Sequence, residues 1–130
     1  MDAWLRSCTA IVGNYAYVTS NADNGVQILD ISDPTNPTGV GFISDNTNGA
    51  NTLNGAAAIV VVGNYAYVTA WDDHGVQILD ISDPTNPVGV GSITDGAGGA
   101  DELYGAYGIA VVGNYAYVTA YRDNGVQILD

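Results

Sequence analysis

Apolar and polar residues alternate with a period of two along much of this chain. The stretch Tyr65-Ala66-Tyr67-Val68-Thr69-Ala70 is typical, and valine, isoleucine, tyrosine and threonine dominate the alternating segments. That period predicts strands, because successive side chains of an extended chain point to opposite faces. Four strands are predicted between residues 58 and 94: Ala58 to Val62, Tyr65 to Ala70, Val76 to Ser82, and Val88 to Thr94. The first is almost continuously apolar and is expected to be buried on both faces. Gly63-Asn64 predicts a tight hairpin, and Asp73 with Gly75 predicts the next turn. Asp83-Pro84-Thr85-Asn86-Pro87 predicts the third connection, since its prolines cannot donate to a ladder.

The same pattern returns. Gly-Asn-Tyr-Ala-Tyr-Val-Thr occupies 13 to 19, 63 to 69 and 113 to 119, a period of 50 residues. Gly-Val-Gln-Ile-Leu-Asp recurs at 25 to 30, 75 to 80 and 125 to 130. Segments 13–44 and 63–94 differ only at positions 20, 21, 22, 24, 38, 42 and 44, so the chain is a duplication of one structural unit. Four antiparallel strands repeated at that period predict an all-β fold of β-propeller-type blades. The chain holds about two and a half units, with one blade near 8–45, a second near 56–95 and a partial blade near 107–130.

Composition narrows the field of partners. The chain has 130 residues, 14 acids, 2 bases and a net charge of -12. A surface so anionic repels phosphate backbones and anionic lipid heads, so neither nucleic acid nor a membrane surface is expected as a partner. The longest apolar run, Ala56 to Val62, is far shorter than the roughly 20 residues of a spanning helix. Met1-Asp2-Ala3-Trp4-Leu5-Arg6 lacks the basic and apolar regions of a secretory signal. Cys8, the single cysteine, can form no internal disulfide and is expected to be a small buried hydrophobe.

The run Gly75-Val76-Gln77-Ile78-Leu79-Asp80-Ile81-Ser82-Asp83-Pro84-Thr85-Asn86-Pro87-Val88-Gly89-Val90-Gly91 resembles the LVIVD repeat, a propeller-blade repeat of bacterial and archaeal proteins. The resemblance implies the blade fold and an extracellular or cell-surface location. It implies no shared catalytic motif. Asp130 falls inside the predicted third strand of the last unit, which therefore lacks its outer strand. Residues 1 to 7 lie too near the first strand, Thr9 to Val12, to supply one. Either the chain is a piece of a larger propeller, or copies assemble so that open blade edges complete one another. Self-association is the favoured expectation, with a two-chain ring of six blades as the simplest closed form.

Variation between the units concentrates in two connections that propeller topology places on one rim. The turn between second and third strands reads Ser20-Asn21-Ala22-Asp23-Asn24, then Ala70-Trp71-Asp72-Asp73-His74, then Ala120-Tyr121-Arg122-Asp123-Asn124. The links at 45–55 and 95–105 vary too, and the second contains Asp101, Glu102 and Tyr104. Loops on a rigid scaffold carry binding residues. The candidate binding set is therefore Asn21, Asp23, Trp71, Asp72, Asp73, His74, Asp101, Glu102, Tyr104, Tyr121, Arg122 and Asp123. Neutral variation of exposed loops is the competing explanation.

Asp72, Asp73, Asp95, Asp101 and Glu102 raise a calcium reading, but neither link has the spaced-ligand pattern of a calcium loop. Most acids also recur at equivalent turn positions (23, 73, 123; 30, 80, 130; 33, 83; 45, 95), where capping explains them. No cofactor, metal or catalytic residue is expected. His74 reads as a turn residue, and Ser32-Asp33 and Ser82-Asp83 read as backbone caps rather than hydrolytic parts. The expected function is non-enzymatic binding of a partner protein or glycan through the rim. A purely structural self-assembling block is the alternative.

Overall fold

The computed structural model describes residues 8–130, which form strands joined by turns and contain no helix. In chain order the strands are β1 (Thr9–Val12), β2 (Tyr15–Ser20), β3 (Gly25–Asp30), β4 (Thr38–Ser44), β5 (Ala56–Val62), β6 (Tyr65–Ala70), β7 (Gly75–Asp80), β8 (Val88–Thr94), β9 (Ala106–Val112), β10 (Tyr115–Ala120) and β11 (Gly125–Leu129). They make three antiparallel meanders, β1-β2-β3-β4, β5-β6-β7-β8 and β9-β10-β11, which we call blades one to three. Blade three has three strands among the described residues. The expectation that residues 1 to 7 do not supply a missing strand lies outside the described residues.

The strand limits differ from expectation at three points, the smallest being the start of the third strand of blade two at Gly75 rather than Val76. The third strand of blade two ends at Asp80, not Ser82. There the Asp80 carboxylate accepts the Ser82 N–H at 2.9 Å and bends the chain out of the ladder. Strand β5 begins at Ala56, two residues early, because a bulge between Ala56 and Ile59 extends its pairing to Ala70. Nor is β5 buried on both faces throughout: Ala56, Ala57 and Ile59 are buried, whereas Val62 is exposed. Its Val62 end runs into the two-residue hairpin at Gly63-Asn64, away from the blade contacts. Cys8 is exposed rather than buried. Its position in the repeat carries half-buried Ala58 and Gly108, so it is not a core position.

Each blade buries one face against the next. Tyr17, Val26, Ile28 and Ile43 of blade one meet Ile59, Ala66, Val68, Leu79 and Ile81 of blade two, with Ala50 and Leu53 of the link wedged among them. Between blades two and three, Val76 packs with Ala100, Leu103, Ala106 and Val118. Polar bonds repeat with the same spacing. The Thr19 hydroxyl donates across to the Ala57 carbonyl at 2.6 Å, and that of Thr69 to the Tyr107 carbonyl at 2.8 Å. Thus a threonine within an alternating strand ties its blade to the inner strand of the next.

Close packing at Gly41 yields a direct test. A Cβ there would run into the Pro84 carbonyl of the neighbouring blade, whereas one at the equivalent Gly91 meets only the Ile78 side chain, at 3.8 Å. Backbone cannot retreat as a flexible side chain can. Gly41→Ala is expected to lower stability by about 1–3 kcal/mol and Gly91→Ala to leave it unchanged or slightly raised, as read from thermal melts.

The aspartates of the repeated turns act as caps. Asp33 and Asp83 accept both the N–H and the hydroxyl of Thr35 and Thr85, at 2.6–3.0 Å. Bonds to Thr35, Thr85, Ser32 and Ser82 hold Asp33, Asp83, Asp30 and Asp80 below their usual value of 3.8. A carboxyl depressed in the folded state stabilises above its unfolded value, and that contribution disappears as pH falls through and below 3.8. Acid titration of the melting temperature is therefore expected to show a decline in that range, smaller in an Asp33→Asn/Asp83→Asn double variant.

Candidate functional site

The strand-joining turns and the interblade links do meet on one rim, and backbone amides join them. Asn24, His74 and Asn124 all have positive φ, at 56°, 55° and 57°. Asparagine and histidine tolerate that left-handed conformation better than most residues. It aims the side chain at the following link: Asn24 Oδ1 accepts the Gly55 N–H at 3.0 Å, and His74 Nδ1 accepts the Gly105 N–H at 3.1 Å. His74 is thus a turn residue with a bridging task that its imidazole shares with an asparagine amide. Its ring also stacks on Tyr104, with centroids 3.9 Å apart.

The neighbouring aspartates are used in the same way. Asp73 and Asp123 accept the N–H groups of Asn54 and Tyr104, at 3.0 and 2.9 Å, while Asp45 and Asp95 accept those of Leu53 and Leu103. Asp73 is raised above its usual value, first by burial and then by the charges of Asp45 and Asp72; the Asn54 bond opposes this. Its charge therefore destabilises the fold at neutral pH, and the penalty is relieved as pH falls and the carboxyl takes up a proton. Asp73→Asn keeps an acceptor for the Asn54 N–H and removes the repulsion. It is expected to raise the melting temperature at pH 7, with a gain that shrinks on acidification.

Among the described residues no three or more histidine, cysteine, aspartate or glutamate side chains gather in a metal-holding group. Asp101 and Glu102 lie exposed, as do Asp72 and Asp23. The Asp23 N–H donates to Ser20 at 3.3 Å, and the buried amide nitrogen of Asn21 has no partner among the described residues.

The aromatic residues do converge. Trp71 is 8% exposed and forms the floor of a patch at the rim between blades two and three. Tyr107 meets it edge-on at 6.0 Å and Tyr121 leans over it at 5.5 Å. The Arg122 guanidinium sits 5.3 Å from the Trp71 ring centre and 5.5 Å from that of Tyr104, within cation–π range. Tyr121 is 70% exposed, and Tyr104 and Tyr107 are also exposed. Fifty residues earlier, at the first rim, the positions of Trp71, Tyr104, Tyr107, Tyr121 and Arg122 carry Asn21, Asn54, Ala57, Trp71 and Asp72. Trp71, Tyr104 and Tyr107 are thus departures from the first rim, Tyr121 exchanges one aromatic residue for another, and folding brings the four together.

Five predicted residues, Trp71, His74, Tyr104, Tyr121 and Arg122, meet in this patch. Trp71 is a floor rather than a surface contact. Tyr107 was not among the candidates, although the Ala57-to-Tyr107 difference between units signals it. Asn21 and Asp23 lie at the first rim, apart from the patch.

Three unclosed antiparallel sheets, bonded face to face by one repeated set of residues, define an all-β tandem-repeat protein. The LVIVD repeat model matches residues 8–45, 55–95 and 105–130. The chain belongs to the LVIVD-repeat family. A structure of a functionally unknown protein from Desulfotomaculum acetoxidans is similar at 21% identity, with a TM-score of 0.66. The match covers 90% of this chain and 36% of that one, so the chain spans little more than a third of that protein's length. That likeness concerns the fold alone. No curated protein matches. Among the described residues no helix is long and apolar enough to cross a membrane.

Proposed function

We propose that the chain is a non-enzymatic recognition module that binds a glycan or partner protein through the aromatic patch and associates through uncovered blade faces. The convergence of Tyr104, Tyr107, Tyr121 and Arg122 over Trp71 carries the recognition half. Tyrosine rings offer apolar faces with a polar tip, and arginine adds planar donors, a combination suited to sugar rings or to a loop of another protein. The neighbouring polar groups are engaged in backbone capping, which holds the patch rigid and lowers the entropy lost on binding. A cell-surface setting, implied by the family resemblance, belongs to the same proposal.

The test is a glycan array and a surface-protein capture screen with the intact chain. Tyr121→Ala and Tyr104→Ala are each expected to weaken a ligand found this way about ten-fold, the effect of losing roughly 1.4 kcal/mol, with the melting temperature nearly unchanged. Undiminished binding in the double variant would discard the patch as the site.

A second reading, a structural block that assembles with its own kind, is favoured by a separate observation. Tyr117, Val126 and Ile128 of blade three are 40%, 57% and 54% exposed, whereas Tyr17, Val26 and Ile28 of blade one are at most 4% exposed.

A further inference from the structure

The two ends of the blade array are complementary to each other and not to themselves. One face of each blade carries Tyr17, Thr19, Val26 and Ile28 or their equivalents at intervals of 50; inside the chain that face is covered by the next blade. On blade three no other blade covers it among the described residues. Tyr115, Tyr117, Val126 and Ile128 form an apolar surface beside Thr119, whose hydroxyl bonds only within its own blade among the described residues. Thr19 and Thr69 instead donate to the following blade. Asn124 has the turn geometry of Asn24 but no following link amide among the described residues.

The opposite face of each blade is the one that the preceding blade covers. On blade two it presents Ile59, Ala66, Val68 and Leu79, all buried. The counterparts on blade one are Thr9, Ala16, Val18 and Leu29, of which Val18 and Leu29 are only half-buried. Ile11, beside them and paired with Ala16, is 66% exposed.

We propose that the uncovered face of blade three receives blade one of a second copy of this chain, head to tail. The inference rests on the association half of the reading above and adds the partner surface and its polarity. The argument is continuity: the contact made between blades one and two, and again between two and three, uses a tyrosine, a threonine, a valine and an isoleucine that blade three repeats as Tyr117, Thr119, Val126 and Ile128, whereas Ile43, Ala50 and Leu53 have no counterpart on it among the described residues. The Val18 and Leu29 face of blade one matches what each of those contacts receives. Pairing two copies of the blade-three face would place tyrosine-rich surfaces together and provide no strand carbonyl for Thr119. A head-to-tail contact is heterologous, so it builds a ring if its rotation closes and a filament if it does not.

Two exposed substitutions test the polarity, Ile128→Glu on blade three and Ile11→Glu on blade one. Circular dichroism must first show the wild-type strand signal in both. Analytical ultracentrifugation is then expected to give concentration-dependent association of the wild type, monomers for each variant alone, and a one-to-one dimer when the two are mixed. Each variant keeps the face that the other has lost. An Ile11→Glu chain that associates as the wild type does, or a mixture that stays monomeric, would overturn the head-to-tail contact while leaving association intact. A wild type that is monomeric throughout the micromolar range would overturn association itself, and with it this inference.

Discussion

Gln77→Leu is expected to lower the stability of the chain by about 2–4 kcal/mol, since each buried polar group left unpaired costs about 1–3 kcal/mol. Gln77 is 1% exposed and all its hydrogen-bonding directions point into backbone. Its Oε1 accepts the N–H groups of Asn51 and Thr52, at 3.0 and 2.9 Å. Its Nε2 donates to the carbonyls of Ile78 and Gly91, at 3.2 and 2.8 Å. One side chain thus fastens the interblade link to the third strand and third strand to fourth. Leucine matches its bulk and satisfies none of these groups. Gln127 stands at the same place in blade three, where its Oε1 accepts only the Glu102 N–H and the site is open to water. Water can replace a glutamine there, so Gln127→Leu is expected to cost less than about 1 kcal/mol. Urea denaturation of the two variants decides the matter, and equal losses would refute the pinning role assigned to Gln77.

The difference between those glutamines marks the limit of what the sequence displays. Alternation and turn chemistry are local, so strands such as Tyr65–Ala70 and the hairpin at Gly63-Asn64 are legible from neighbouring residues alone. The 50-residue repeat then specifies that blades stack. What identical residues do is set by whether a neighbour covers them: Ile28 is fully buried and Ile128 is 54% exposed, in the same sequence context. The aromatic patch was half legible. Trp71 and Tyr121 announce themselves as departures in a turn. Tyr107 is the second residue of β9, and in a strand an aromatic residue attracts no notice until its contact with Trp71 is seen. His74 reads as a turn residue because its neighbours in sequence form a turn, whereas its bond to Gly105, and that of Asn24 to Gly55, span 31 residues.

Trp71→Ala is expected to be the more damaging change at the rim, although Tyr121 is the residue that meets solvent. Trp71 is 8% exposed and supports Tyr107, Tyr121 and Arg122 at once. Deleting a buried aromatic side chain removes its burial and leaves a cavity, a loss of about 3–5 kcal/mol. Tyr121 is 70% exposed, so its replacement by alanine is expected to shift stability by no more than about 0.5 kcal/mol. The two variants therefore separate support from contact. Trp71→Ala should lower the melting temperature and disturb any binding only through disorder of Tyr121 and Arg122, with partial recovery in Trp71→Phe, which restores an apolar ring. Tyr121→Ala should leave the melt intact and remove affinity alone. If Trp71→Ala melted like the wild type, the ring would not be the floor of the patch, and the convergence of aromatic residues at this rim would lose its physical basis.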